Sequence, residues 1–250
     1  MEPTSLDSAR VLLVQARAGK GMERQELQCF VERCQLRPDQ FVQVNVARGG
    51  RITPDALDGA DALMIGGAGE YSARLDYPWM ADLLALVRTA TDAAVPTFGT
   101  CWGHQVIARA LGGTVVFDPE RAEFGCGEIE LTDAAATDPL MRSFPPTFFA
   151  NMGHSDRVTR LPEGTIELAR NASQPNQAFR VAGKPVYGTQ FHSELDATRE
   201  RERLIAYREH YRTVLGGDEA FQEVLDSLAD TTEVDHLMHD FLQVYVARRA

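Results

Sequence analysis

No stretch of this 250-residue chain stays apolar for long. The longest falls well short of the roughly 20 residues a membrane-crossing helix needs, so no span is expected. The opening MEPTSLDSAR has no basic segment ahead of an apolar run, which argues against a secretory signal. Cysteine is sparse. Cys29, Cys34, Cys101 and Cys126 show no framework spacing, so reduced thiols and a cytoplasmic location are expected. A basic surplus is missing too: 36 acidic against 25 basic side chains give a net charge of −11, which weighs against nucleic-acid binding. Lys20 and Lys184 are the two lysines, a compositional trait to which no mechanism attaches. There is no internal repeat and no low-complexity segment.

What is present is ordinary for a globular chain. Hydrophobic residues make up 44% and charged residues 24%, which excludes disordered, collagen-like and mucin-like classes. The length suits one α/β domain, with or without an appendage. Val11–Val14, Phe41–Val46, Asp61–Ile65 and Val95–Gly99 read as strands, the first as a continuous apolar run buried on both faces. Helical spacing falls between them, in Met22, Leu27, Phe30 and Val31, in Trp79, Leu83, Leu86 and Val87, and from Trp102 to Leu111. That rhythm predicts right-handed crossovers and a doubly wound, mostly parallel sheet. Gly49-Gly50 and Thr53-Pro54 punctuate a loop after the second strand.

From Gly113 the pattern becomes antiparallel. Strands are expected at 114–117, 128–131, 156–159, 165–169, 177–181 and 186–191, extending the sheet and adding a small second one. Asp138-Pro139 reads as a helix N-cap followed by proline at the first helical position. Residues 1–195 are expected to form the main domain and 196–250 a helical extension. In that extension Leu204, Tyr207, Tyr211 and Val214 mark one face, ended by Gly216-Gly217. Phe221, Val224, Leu225 and Leu228 mark a second, and Val234, Leu237, Met238, Phe241, Leu242 and Tyr245 a third. The alternating charges of Arg199–Arg203 read as a solvated helical face.

Three segments carry chemistry. Phe98-Gly99-Thr100-Cys101-Trp102-Gly103-His104-Gln105 runs from a buried strand through two glycines into a helix, the layout of a nucleophile elbow. Cys101 would sit at a helix N-terminus, where peptide dipoles favour thiolate over thiol. Val186–Glu194 ends in His-x-Glu, so His192 can serve as base and Glu194 can fix its tautomer. Ile65-Gly66-Gly67-Ala68-Gly69 follows a parallel strand, where an N–H can turn toward an oxyanion, with a second N–H from Trp102. No G-K-[ST] follows it, so nucleotide binding is rejected and no cofactor is expected. His236 and His239 lack a third ligand and read as a solvated face, so no metal is expected. Cys126 reads as a small buried residue, and Cys29 with Cys34 as a poor disulfide pair.

Gly99–Gln105 resembles the G-x-C-x-G-x-Q signature of class I, triad-type glutamine amidotransferases. Gln190–Glu194 matches their Q-F-H-x-E, Gly66-Gly67 their oxyanion glycines, and Asn151–Asp156 is similar to their S-H-G-D segment. Residues from about 10 to 195 carry the resemblance, and the chain is similar to the amidotransferase domain of GMP synthase. It implies a Cys101–His192–Glu194 triad, an oxyanion hole of Gly67 and Trp102, and head-group contacts from Gly66, Gln105, Asn151, Gly153 and His154. It further implies hydrolysis of the glutamine side-chain amide through a γ-glutamyl thioester. Two positions depart from the family pattern: Ala68 stands for its proline, and Gly153 for its serine.

No synthetase segment follows within these residues, so a separate synthetase subunit is one expected partner and a homodimer another. A stand-alone hydrolase of γ-glutamyl bonds is the rival enzymatic reading. A catalytically silent binding protein is the third, and the intact triad opposes it. Cysteine hydrolases of the heat-shock protease and chaperone type share the elbow but usually lack the His-x-Glu pair. Burial of the last helix within the monomer would favour the self-contained hydrolase; an exposed apolar stripe there would favour a partner.

Overall fold

A computed structural model describes residues 6–53 and 55–247. The first five residues, on which part of the leader expectation rests, and the loop marker Pro54 lie outside the described residues. Four strands and three α-helices make up the first half, with no α-helix among the described residues between the second and third strands. These are β1 (Val11–Gln15), α1 (Lys20–Cys34), β2 (Phe41–Asn45), β3 (Ala62–Ile65), α2 (Met80–Asp92), β4 (Thr97–Thr100) and α3 (Trp102–Ala110). Next come β5 (Thr114–Phe117), β6 (Glu123–Leu131), β7 (Thr147–His154), β8 (Asp156–Arg160), β9 (Thr165–Arg170), β10 (Ala178–Val181) and β11 (Val186–Thr189). Helices α4 (Ala197–Ala206), α5 (Arg208–Leu215), α6 (Asp218–Ser227) and α7 (Leu237–Tyr245) follow.

The described residues form a nine-stranded sheet in the order β2-β1-β3-β4-β11-β10-β9-β6-β7, with β5 and β8 paired separately. The first five strands in that order run parallel and the rest antiparallel. The fold is therefore α/β with a mixed sheet, a parallel core and C-terminal helices.

Side chains alternate across each strand, so every central strand feeds two cores. Val11, Leu13, Met64 and Phe98 face Phe30 and Cys34 of α1 on one side of the sheet. Leu12, Val14, Leu63 and Ile65 face Leu83 and Val87 of α2 and Val106 and Ile107 of α3 on the other. Burial on both faces is why these strands read as unbroken apolar runs.

Helix α7 packs on the α1 side. Leu237, Met238, Phe241 and Leu242 are fully buried there, and the Phe241 ring lies 5.3 Å from that of Phe98. Burying a side chain of this size is worth about 1.5–3 kcal/mol, so α7 is part of the main core. Helices α4–α6 gather a smaller cluster of Leu204, Tyr207, Tyr211, Phe221 and Leu225 against Met22 and Phe124. No helix of the described residues is long and apolar enough to cross a membrane.

Several expectations need correction. The charged run 199–203 is not a solvated face, because Glu200 and Arg203 are 1% and 3% exposed and point inward. Residues 204–214 form two helices broken at Tyr207, and Val214 at the end of the expected apolar face is 37% exposed. Asp138 does accept the N–H groups of Leu140 and Met141 at 2.9 Å each, yet no α-helix follows. Pro145-Pro146 forces the chain out of helical geometry within two turns. Strand β7 falls where no strand is expected, and β6 starts five residues earlier than expected, at Glu123. Cys126 is half-buried rather than buried, and His239 leaves the solvated face to place Nδ1 3.1 Å from the Cys34 carbonyl.

Candidate active site

The carboxyl ends of β3, β4 and β11 converge, as parallel strands must when they lie side by side. Residues after each end build one site. Cys101 follows β4 with φ 51° and ψ −103°, a positive-φ conformation that a side chain tolerates only when its surroundings enforce it. The enforcement is visible. Its N–H donates to the Thr189 carbonyl at 2.7 Å, and the Gly103 N–H donates to the Gly66 carbonyl at 3.1 Å. A Cβ on Gly103 would lie 2.2 Å from the Ile65 carbonyl oxygen, and one on Gly99 2.5 Å from the Gly103 backbone. Only glycine at both positions lets α3 start this close to the sheet.

His192 and Glu194 follow β11. The His192 N–H donates to the Asn151 carbonyl at 2.9 Å, which ties this segment to β7. Its Nδ1 lies 3.0 Å from Glu194 Oε1; a carboxylate only accepts, so Nδ1 carries the proton and Nε2 faces Cys101. Glu194 is fully buried and fully engaged. Thr100 Oγ1 donates to its Oε2 at 2.7 Å, and Arg203 Nη1 from α4 donates to its Oε1 at 2.8 Å.

Burial pushes the Glu194 carboxyl up, but His192, Arg203 and Thr100 outweigh it and hold the group well below the usual carboxylate range. Burial likewise opposes charge on His192. Glu194, Glu200 and Cys101 outweigh it in turn and hold the imidazole well above its ordinary value. Both partners therefore favour an ion pair.

Behind the glycine loop lies a second buried pair, Arg17 Nη2 to Glu26 Oε1 at 2.6 Å. A Cβ on Gly66 would strike Glu26 Oε1 at 2.5 Å, and one on Gly67 would come within 3.2 Å of Arg17 Nη2 and 3.5 Å of His192 Cε1. The loop is thus pinned between α1, the elbow and the histidine. Trp102 opens α3, so its N–H belongs to the first helical turn, whose donors have no partner within the helix.

A cavity of about 290 Å³ opens over Cys101. Of the residues singled out from sequence, Cys101, Trp102, Gln105, Gly153 and His154 line it; Gly66, Gly67, Asn151, His192 and Glu194 do not. Gln105 spends its amide group on the Asp156 carbonyl at 2.7 Å and on Gln190 Oε1 at 3.1 Å. Asn151 is fully buried and donates through Nδ2 to the Ala229 carbonyl at 3.0 Å. His154 lies between the Asp156 carbonyl at 3.0 Å and Glu123 Oε2 at 3.1 Å. Burial raises the Glu123 carboxyl, but His154 and the polar side chains of Ser173 and Asn171 pull it down to about 2.

Sequence reasoning did not find Thr100, Arg203, Arg17, Glu26 or Glu200. Thr100 lay inside the elbow motif, and Glu200 and Arg203 stand one helical turn apart on the side of α4 that also carries Leu204. Among the described residues no cluster of His, Cys, Asp or Glu could hold a metal ion. Chemically, a thiol at a strained elbow, an imidazole held by a carboxylate and the first-turn N–H of Trp102 suit addition to a carbonyl and proton delivery to a leaving group.

Residues 38–209 match the family model for "Glutamine amidotransferase class-I". GMP synthase [glutamine-hydrolyzing] of Shewanella frigidimarina is 31% identical over 147 residues, 57% of this chain and 27% of that protein. The enzyme of the same name from Idiomarina loihiensis is 36% identical over 133 residues, 51% of this chain and 25% of that protein. The matches thus span about a quarter of these relatives' own length. In fold, the crystal structure of a glutamine amidotransferase from Thermotoga maritima matches with a TM-score of 0.73, covering 96% of this chain and 98% of that one at 21% identity. A glutamine amido transferase from Methylobacillus flagellatus gives 0.71, with coverages of 96% and 93% at 24% identity.

Proposed function

Because the chain belongs to the class-I glutamine amidotransferase family, we propose that it hydrolyses the side-chain amide of glutamine through a thioester on Cys101. The observation that carries this reading is Cys101 raised at the elbow beside a buried His192–Glu194 pair in which charge is favoured on both partners. The Cys101 sulfur adds to the amide carbon, and the carbonyl oxygen takes up the electron pair beside the N–H groups of Gly67 and Trp102. Loss of one such donor typically costs on the order of 100–1000-fold in rate. Collapse of the adduct breaks the C–N bond, and Nε2 of His192 gives its proton to the departing nitrogen, releasing ammonia. The neutral imidazole then takes a proton from water, whose oxygen attacks the thioester, freeing glutamate and restoring the thiolate–imidazolium pair.

Gln105, Gly153 and His154 border the cavity and would meet the amino-acid head group. Asn151 would act by holding the His192 backbone. Ammonia would pass to a separate synthetase. A second reading, direct hydrolysis of γ-glutamyl peptides, draws support from α7, whose apolar face is buried in the chain's own core rather than left for another protein.

The test is release of ammonia and glutamate from glutamine, run beside release of glutamate from a γ-glutamyl peptide, with Cys101→Ala as blank. Turnover of glutamine alone supports the amidotransferase reading, and brisk peptide cleavage supports the hydrolase. Silence of the wild-type protein on both contradicts the reaction.

A further inference from the structure

Helix α4 brings a carboxylate to His192 that the thioester chemistry above does not use. Glu200 sits in the first turn of α4, is 1% exposed, and its Oε2 has no hydrogen-bond partner. A carboxylate withdrawn from water is unfavourable unless a positive charge answers it. The two guanidinium groups buried nearby are already engaged, Arg203 by Glu194 at 2.8 Å and Arg17 by Glu26 at 2.6 Å. Three carboxylates thus share two arginines, and charge on His192 offsets the excess.

Gly153 makes that approach possible. A Cβ built on it would lie 3.3 Å from Glu200 Oε1, 3.7 Å from His192 Nε2 and 3.8 Å from the Tyr211 hydroxyl. Carboxylate, imidazole and phenol converge on space that a serine at this position, as in the resembling motif, would fill. We propose that Glu200 is a positioning residue of the site, facing the Nε2 side of His192 across Gly153 and holding the ring as the imidazolium that protonates the departing nitrogen. This role rests on the thiol–imidazole reading of the site.

Of the elements packed on His192, β7 contributes the uncharged Asn151 carbonyl and Gly153, and the others contribute charged or titrating groups. Cys101 comes from the elbow, Glu194 holds Nδ1, and Arg17 lies across Gly67. Helix α4 supplies Glu200 and Arg203, and α5 supplies Tyr211. Glu194, Glu200 and Cys101 favour the charged ring, while Arg17 and Arg203 oppose it through Coulomb repulsion. Burial pushes the Tyr211 hydroxyl up, so it stays neutral through the working range. Neutralising Glu200 therefore tips the balance toward the neutral ring.

The experiment is a titration of isotope-labelled histidine by NMR in the full chain, comparing wild type, Glu200→Gln and Glu200→Asp, with His192→Gln to assign the signal. Glu200→Gln is expected to lower the His192 midpoint by about one pH unit or more, a tenfold change in the proton equilibrium. Glu200→Asp should retain most of the wild-type value. The alkaline limb of turnover should move with the midpoint. An unmoved midpoint, or an activity loss in Glu200→Gln equal at every pH, overturns the role. Should Glu200→Gln fail to fold, Gly153→Ala wedges a methyl between carboxylate and ring and reads the same coupling: a lower midpoint supports the role and an unmoved one overturns it. No substrate is needed for the titration, so a protein that shows the shift but turns over no γ-glutamyl amide contradicts the reaction and leaves the Glu200–His192 coupling standing.

Discussion

Glu194 answers three groups at once, with Thr100 on one oxygen and His192 and Arg203 on the other. Removing Arg203 would leave that carboxylate short of a cation in a water-free position. Breaking a buried pair from one side typically costs about 3–5 kcal/mol, so Arg203→Met should lower the denaturation midpoint accordingly. Cys101→Ser should do the opposite kind of damage, abolishing turnover while the unfolding curve stays in place. The site also sets a pH window for stability. Glu194 has its folded value lowered, so its contribution is full above about pH 4.3 and is lost as pH falls through the folded value. His192 has its folded value raised, so its contribution is full below about pH 6.5 and is lost as pH rises through the folded value. Both are complete between those limits. Tm measured against pH should be highest there, and Glu194→Gln should flatten the fall on either side; an unchanged profile in that variant would remove Glu194 from the account.

Among the elements, the β4–α3 elbow was the most legible because its residue types have little freedom. Gly99 and Gly103 sit where any Cβ meets backbone, and the flanking strand is buried on both faces. Gly103→Ala places a methyl carbon 2.2 Å from the Ile65 carbonyl oxygen, so either α3 or β3 must move. Overpacking of this kind costs about 1–3 kcal/mol or more, to be read from the denaturant midpoint, and turnover should fall further than stability alone explains. Strand β7 was hidden because its carboxyl half, Asn151–His154, carries polar and glycine residues chosen by the site rather than by the sheet. Helix α4 hid its function for a related reason. Glu200 and Arg203 stand in a run of alternating charge, a pattern that normally marks a wet surface. What turned the pair inward is tertiary: Glu194 needed a cation, and the Gly153 gap admitted a carboxylate.

Across the whole molecule, the C-terminal helices divide their work. Helices α4 and α5 bring Arg203, Glu200 and Tyr211 to the site, while α7 covers one face of the sheet beside α1. The apolar spacing of α7 was readable in sequence; which surface it covers was not, because periodicity names a buried face without naming its partner. Ending the chain after residue 195 should uncover that sheet face and strip Glu194 of Arg203, giving a protein that binds ANS and loses its cooperative thermal transition. Phe241→Ala is the milder version, expected to cost about 3–5 kcal/mol. The central claim is that Cys101 becomes γ-glutamylated during turnover. Wild-type protein mixed with glutamine or a γ-glutamyl amide, quenched in acid, digested and weighed by mass spectrometry, tests it most directly. A mass gain of one γ-glutamyl group on the peptide holding Cys101, absent from Cys101→Ala, is the predicted result; substrate turnover with no adduct on Cys101, or with an undiminished rate in Cys101→Ala, would contradict it.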